Sequence, residues 1–453
     1  MKKWSRCLLF LCVGLLVISS TLVYAEPSPD PLRTVTGEKA DPPEVDSPTA
    51  ILIDKKTGVI LYQKDANSAY YPASITKVMT ALLTLENCSM DETVKFSYRA
   101  THELEEGATH IARTEDEEMS VKDCLYALLI ASANEVAQAL AEHISGTIEE
   151  FGVKMTERAK ELGCTNTNFR NPSGLNDSEH YTTAHDMAII MKKALETPGF
   201  LEIDSTTVYE IPPTNKHAES TWVATKHPLL KGGDSPYEYA VAGKNGYTQI
   251  AGNSLVTYAK KEDAELICVV MKSKKGERTK DTKNLFEYGF RNFTWHSMAD
   301  DVKTRLDEKK TLTADGRQVE YTVPEETAWI VLPNTVKLEN LTAEIEQAEG
   351  AEGFSGRVVY RINGEEAGSI PFTGAAPEPV TQSASETETT GQQNEQSEEG
   401  FSWKKLLIWG GIGLAVLVVL AALFFVVYNW NQLRHRRRSR NRYKMKRRRR
   451  RRW

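Results

Sequence analysis

An uninterrupted apolar run of 23 residues, Leu406 to Tyr428, is the strongest constraint on what this chain can fold into. As a helix rising about 1.5 Å per residue it spans roughly 34 Å, enough for a hydrocarbon layer of about 30 Å. Trp403, Trp409 and Trp430 mark the two interfaces. The tail from Arg434 to Trp453 holds 14 Lys or Arg and no acid, so by the positive-inside rule it is cytoplasmic. Everything before Phe401 is then expected outside. The other end agrees: Lys2, Lys3 and Arg6 precede a mostly apolar stretch from Leu8 to Val23, and Val23-Tyr24-Ala25 ends like a secretion-leader cleavage site.

These two segments divide the chain. We expect a leader at 1–25, a flexible lead-in at 26–47 rich in Pro, Asp and Glu, and a main domain at 48–298. A small β-sandwich-like domain at 299–373 comes next, where short alternating runs are spaced by Asp-Gly and Asn-Gly turns. A disordered Ser/Thr/Glu/Gln stalk at 374–402, a transmembrane helix at 403–430 and a basic cytoplasmic tail at 431–453 complete it. This makes a single-pass membrane protein with its folded part on the extracytoplasmic side and its helix and tail against membrane lipid.

Charge and cysteines exclude several functions. Taking the 14 cations of the tail and the three of the leader from a net charge of −6 leaves −23 for residues 26–433. So acidic a surface is no nucleic-acid partner. Cys88, Cys124, Cys164 and Cys268 are scattered without C-x-x-C spacing, and the nine histidines form no H-E-x-x-H pattern. Neither a metal nor another cofactor is expected.

Within the main domain, Ala50–Asp54 and Val59–Tyr62 read as a β-hairpin around Lys55-Lys56-Thr57-Gly58. A helix runs on from Ser74, with Val78, Leu82 and Leu85 at three- and four-residue steps and Pro72 just before its start. Ser74 and Lys77 share one face of its first turn, where free N–H groups favour negative charge. A hydroxyl, an amine and a backbone dipole are the parts of acyl transfer. The pair alone is a weak signal, since Ser402 and Lys405 repeat it beside the membrane segment. Two further stretches stand out: Ser132-Ala133-Asn134, a polar break between helical runs within Val121–Ile144, and Lys244-Asn245-Gly246, a strand segment with glycines on either side of the lysine.

With Ser74-Ile75-Thr76-Lys77, Ser132-Ala133-Asn134 and Lys244-Asn245-Gly246 in this order, the chain resembles the serine penicillin-recognising enzymes, which carry S-x-x-K, S-x-N and K-T-G around one cleft. It is most similar to the low-molecular-weight penicillin-binding proteins that act as D-alanyl-D-alanine carboxypeptidases. Pro72-Ala73, Asn171-Pro172-Ser173-Gly174-Leu175, His180-Tyr181-Thr182-Thr183-Ala184 and Gly246-Tyr247-Thr248 carry the wider likeness, which spans about residues 46 to 295. The resemblance implies an α+β fold of the β-lactamase/transpeptidase-like kind, helices packed on an antiparallel sheet, followed by a small all-β domain and the membrane helix. It implies a cell-wall stem peptide ending in D-Ala-D-Ala as substrate and β-lactam antibiotics as ligands.

The likeness also implies roles. Ser74 is the nucleophile and Lys77 its base, discharged by burial and by Lys244; Ser132 relays a proton to the leaving amine. Asn134 holds the substrate amide and Lys77, and the N–H groups of Ser74 and Tyr247 form the oxyanion hole. Lys244 and Thr248 receive the terminal carboxylate, with Asn245 and Gly246 between them. The family's middle threonine is Asn245 here; its planar amide can donate but is longer, which predicts a modest loss in substrate or penicillin handling. A β-lactamase, or a catalytically weak wall-binding or sensor protein, are the alternative readings. The stalk and appended β domain argue against the first, and the intact Ser74, Lys77, Ser132, Asn134 and Lys244 against the second.

Overall fold

In the computed structural model, which describes residues 31–309, 319–347 and 355–375, a six-stranded sheet is the frame. Its order is Arg33–Thr34, Val59–Lys64, Thr49–Asp54, Ala264–Ser273, Gly252–Lys261, Ala240–Thr248. Only Arg33–Thr34 pairs in parallel; the other neighbours are antiparallel. The expected hairpin Thr49–Asp54 to Val59–Lys64 is present.

Alternation along these strands sends Ile51, Ile53, Ile267 and Val269 to one core and Ala50, Leu52, Leu266, Cys268 and Val270 to the other. Both faces are therefore buried, which is why the strands read as continuous apolar runs. The first face carries a helical layer in which Lys77–Asn87, Asn134–Ser145 and Ala184–Glu196 contribute Val78, Leu82, Val136, Leu140, Met187 and Ile190. The second face is covered by Glu277–Asn292 through Leu285 and Phe286. This leaves Ala240–Thr248 as one edge of the sheet, lying against the turn that carries Ser74.

Further along, a four-stranded antiparallel sheet runs in the order Glu320–Thr322, Glu365–Ala375, Gly356–Ile362, Thr342–Gln347. Its core, including Val358, Tyr360, Ile370 and Phe372, is shared with Ile330 and Leu332 of Trp329–Pro333. That strand pairs with Phe293–Ser297, so the ladder crosses the boundary expected at 298.

Two expectations are corrected. The region from 299 is not all-β: Ala299–Lys309 is a helix, because Ala299, Val302 and Leu306 fall on one face and complete the same core. The lead-in is not flexible over its described part, 31–47. Arg33–Thr34 pairs with the sheet, Leu32, Val35 and Val45 are buried, and the Asp281 carboxylate accepts from the N–H groups of Asp46 and Ser47 and from the Ser47 hydroxyl. A segment without periodicity of its own is held by the strand Val59–Lys64 and by Asp281, more than two hundred residues on. The leader, the first five lead-in residues, all but two residues of the stalk, the expected membrane helix and the basic tail lie outside the described residues. Among the described residues no helix is long and apolar enough to cross a membrane.

Candidate active site

Ser74 does not open an α-helix directly. A 3-10 turn, Ala73–Thr76, carries it, and the α-helix Lys77–Asn87 begins at the lysine. Ala73 sits at φ +53°, a left-handed conformation that costs a residue with a side chain energy and is found where structure is forced around a site. The constraint comes from the Asn171–Leu175 turn. There the Asn171 Oδ1 accepts from the N–H groups of Ser173 and Gly174, and the Pro172 carbonyl accepts from Thr80 Oγ1 at 2.6 Å. Gly174 is at φ +81°, and a Cβ on it would lie 1.9 Å from the Ala73 carbonyl oxygen. Only glycine lets the two turns meet.

Lys77 is fully buried. Its Nζ stands 3.1 Å from Ser74 Oγ, 2.7 Å from Asn134 Oδ1 and 2.8 Å from the Ser173 carbonyl oxygen. Burial holds its pKa well below the usual lysine range; Lys244 and Lys226 push the same way, and Glu135 opposes them. Expected from the sequence were burial and Lys244. The Ser173 carbonyl, Glu135 and Lys226 were not, and a backbone carbonyl leaves no side-chain signal to read.

The break at Ser132 has a specific shape. Val121–Tyr126 is α-helical, Ala127–Ala131 widens into a π turn, and Ser132 ends it at φ +62° with its N–H on the Ala127 carbonyl. Widened turns of this kind recur at functional sites because the extra residue re-aims the chain beyond it. Here the turn delivers Asn134 to the start of its helix, with its N–H on the Thr109 carbonyl and its amide oxygen on Lys77. Ser132, two residues earlier, is nearly buried.

Lys244 lies on the edge strand, also buried, its Nζ donating to the Asn245 carbonyl at 3.1 Å. Burial pushes it down to about 7 against the pull of Asp204, whose carboxyl burial raises to about 7. The flanking glycines face protein rather than ligand. A Cβ on Gly246 would lie 2.9 Å from Ser74 N, and one on Gly243 2.3 Å from the Val256 carbonyl. The first contact sets Tyr247, whose side chain is exposed, beside the turn that carries Ser74. Asn245 is half-buried. Thr248 is already engaged: its hydroxyl donates to Asn176 Oδ1 at 3.0 Å and accepts from the Ala251 N–H. Arg278, which the sequence did not single out, donates to the Gly246 carbonyl at 3.4 Å and adds positive potential at Lys244.

Behind the turn, His180 Nδ1 accepts from the Arg170 N–H, so Nε2–H donates to Thr76 Oγ1 at 3.0 Å. Burial lowers this imidazole to about 4, leaving it neutral scaffolding. Ser74, Lys77, Asn134 and Gly246 thus meet at one place. Lys244 is close enough to act on the Lys77 charge, and Ser132 stands two residues before Asn134 in the chain.

Comparison with known proteins gives a consistent picture. A family model described as D-alanyl-D-alanine carboxypeptidase matches residues 36–275. The D-alanyl-D-alanine carboxypeptidase DacF of Bacillus subtilis is 33% identical over 300 residues, covering 65% of this chain and 73% of its own. The D-alanyl-D-alanine endopeptidase of Escherichia coli is 28% identical over 240 residues, 53% of this chain and 75% of its own. Among solved structures, penicillin binding protein 5 from Haemophilus influenzae is similar with a TM-score of 0.60 at 25% identity, covering 74% of this chain and 98% of its own.

Proposed function

Because the chain belongs to the D-alanyl-D-alanine carboxypeptidase family, we infer that Ser74 is the hydroxyl that opens the bond between the last two D-alanines of a cell-wall stem peptide. The protein is a serine-type D-alanyl-D-alanine carboxypeptidase, a hydrolase acting on peptidoglycan. The residue assignments rest on one observation, the surroundings of the Lys77 amine.

A neutral amine has two N–H bonds and one lone pair. Asn134 Oδ1 and the Ser173 carbonyl are pure acceptors, so they take both N–H bonds, and the lone pair is left for the Ser74 O–H at 3.1 Å. Lys77 then takes the proton as Ser74 Oγ bonds to the carbonyl carbon. The N–H groups of Ser74 and Tyr247 receive the charge that develops on the carbonyl oxygen, and losing one such donor costs about 10²–10³ in rate. Collapse of the intermediate breaks the C–N bond. The departing D-alanine nitrogen takes a proton through Ser132, and water releases the acyl group by the reverse sequence. Lys244, with Arg278 nearby, holds the substrate's terminal carboxylate, while Asn245 lines the same side. A β-lactam enters by the same route and stays on Ser74.

Mass spectrometry after incubation with a muropeptide ending in D-Ala-D-Ala tests this. Wild type should release free D-alanine and form a penicillin adduct on Ser74, and Ser74→Ala should do neither. Release by the variant would overturn the assignment. We also propose that the 406–428 run anchors the enzyme to the membrane with its catalytic part outside, supported by the run's length and the basic tail.

A further inference from the structure

Far from the nucleophile, at the opposite ends of the two helices that supply Lys77 and Asn134, a sulfur, an imidazole and a carboxylate converge. Cys88 is the residue that closes the helix Lys77–Asn87, His143 lies in the last turn of Asn134–Ser145, and Glu92 comes from the loop after Cys88. One ligand atom from each lies within 4.8 Å of the others, and His143 Nε2 is 3.1 Å from Glu92 Oε2. From Lys77 the site is roughly 16 Å along the helix axis.

We propose that Cys88, Glu92 and His143 bind a divalent metal ion of borderline softness, zinc by its donor set, that ties the distal ends of the two catalytic helices together. Thiolate, imidazole and carboxylate are the three ligand types of tetrahedral zinc, at about 2.0–2.3 Å from the metal. Donors at those lengths and a tetrahedral angle sit about 3.3–3.6 Å apart, close to the spacing His143 and Glu92 already have. Two negative ligands against a divalent cation leave the site neutral, with water in the fourth position. Glu92 is also oriented: its Oε1 accepts from the Ser89 N–H at 2.6 Å, which leaves Oε2 toward His143. Such outer hydrogen bonds fix ligands in metal sites.

Two helix C-termini meet there, and their partial negative charge favours a cation. The charge of Lys154 reaches Cys88, but its Nζ is engaged with Asn87 Oδ1 at 2.6 Å. On binding, the Cys88 thiol loses its proton to solvent and the His143–Glu92 hydrogen bond is replaced by two bonds to the metal. The plain alternative is an ion pair beside a half-buried thiol.

The test uses the full chain, solubilised, free of any histidine tag, stripped of metal and kept reduced. Titration with cobalt(II) should give a near-ultraviolet cobalt–thiolate charge-transfer band that saturates at one equivalent and is displaced by zinc. Zinc at 100-fold over its dissociation constant should raise the unfolding midpoint by roughly 3–5 °C. Cys88→Ser should lose both the band and the shift. His143→Gln and Glu92→Gln should weaken binding by at least the 10–100-fold typical of losing an outer partner. Cys124→Ser, at a thiol buried elsewhere in the core, should keep both. Penicillin labelling of Ser74 shows that each variant is folded, and His143→Gln stands in if Cys88→Ser is not. No band in the wild type, or a band and shift that survive Cys88→Ser, would overturn the site.

Discussion

The Lys77 amine and the Lys244 amine do opposite things with the same physics. In the proposed mechanism Lys77 must be neutral to accept a proton, which burial favours by lowering its pKa, while Lys244 must stay charged to hold a carboxylate and sits at about 7. In the free enzyme, activity therefore rises with pH as Lys77 loses its proton and falls as Lys244 loses its own, giving a bell-shaped kcat/KM. Asp204 raises the Lys244 pKa. Asp204→Asn should move the alkaline limb to lower pH and leave the acid limb in place; a limb that stays or moves upward contradicts the pairing. Asn245 is a second residue-scale case. Asn245→Thr should speed penicillin acylation a few-fold, since a hydroxyl both donates and accepts where the amide is longer and planar; an unchanged rate removes that reading.

At the scale of elements, the nucleophile turn and the Asn171–Leu175 turn are one unit, joined where Gly174 meets the Ala73 carbonyl. Gly174→Ala adds a strained backbone to a clash, with a cost of about 1–3 kcal/mol from the conformation alone. A displacement near 1 Å at the nucleophile costs about 10²-fold in rate. Penicillin acylation should drop by that order. Gly232→Ala is the control, because Gly232 is also left-handed, at φ +93°, but faces open space. Equal effects of the two would mean that the clash is immaterial. This scale also separates what the sequence shows from what it hides. The hairpin, the helix after Ser74 and the three polar motifs announce themselves through period and residue type. The π turn at Ala127–Ala131 does not, because its apolar residues read as helix. The helix Ala299–Lys309 is legible in Val302 and Leu306, but neighbouring alternating runs mask it. No local pattern reports that the Ser173 carbonyl will meet Lys77, since that contact is made by folding across 96 positions.

For the molecule as a whole, the described part is stitched from both ends: residues 31–47 lie along the sheet and dock on Asp281, while the Phe293–Ser297 strand passes the chain into the four-stranded sheet's core. If 406–428 is the anchor, cells expressing the chain cut after residue 400 should release penicillin-binding activity into the soluble extracytoplasmic fraction, whereas the full chain stays with membranes. Activity that remains membrane-bound after truncation would place the anchor elsewhere. Finally, the sheet stops at Ala240–Thr248 with one side unpaired by any described strand, and that open margin borders Ser74. An extended peptide laid there would add to the ladder as a transient seventh strand, gripped by its main chain. Grip of that kind is indifferent to most side chains, so selectivity falls to the few atoms at the peptide's end, and a rigid molecule imitating only those atoms can occupy the place of a whole polymer.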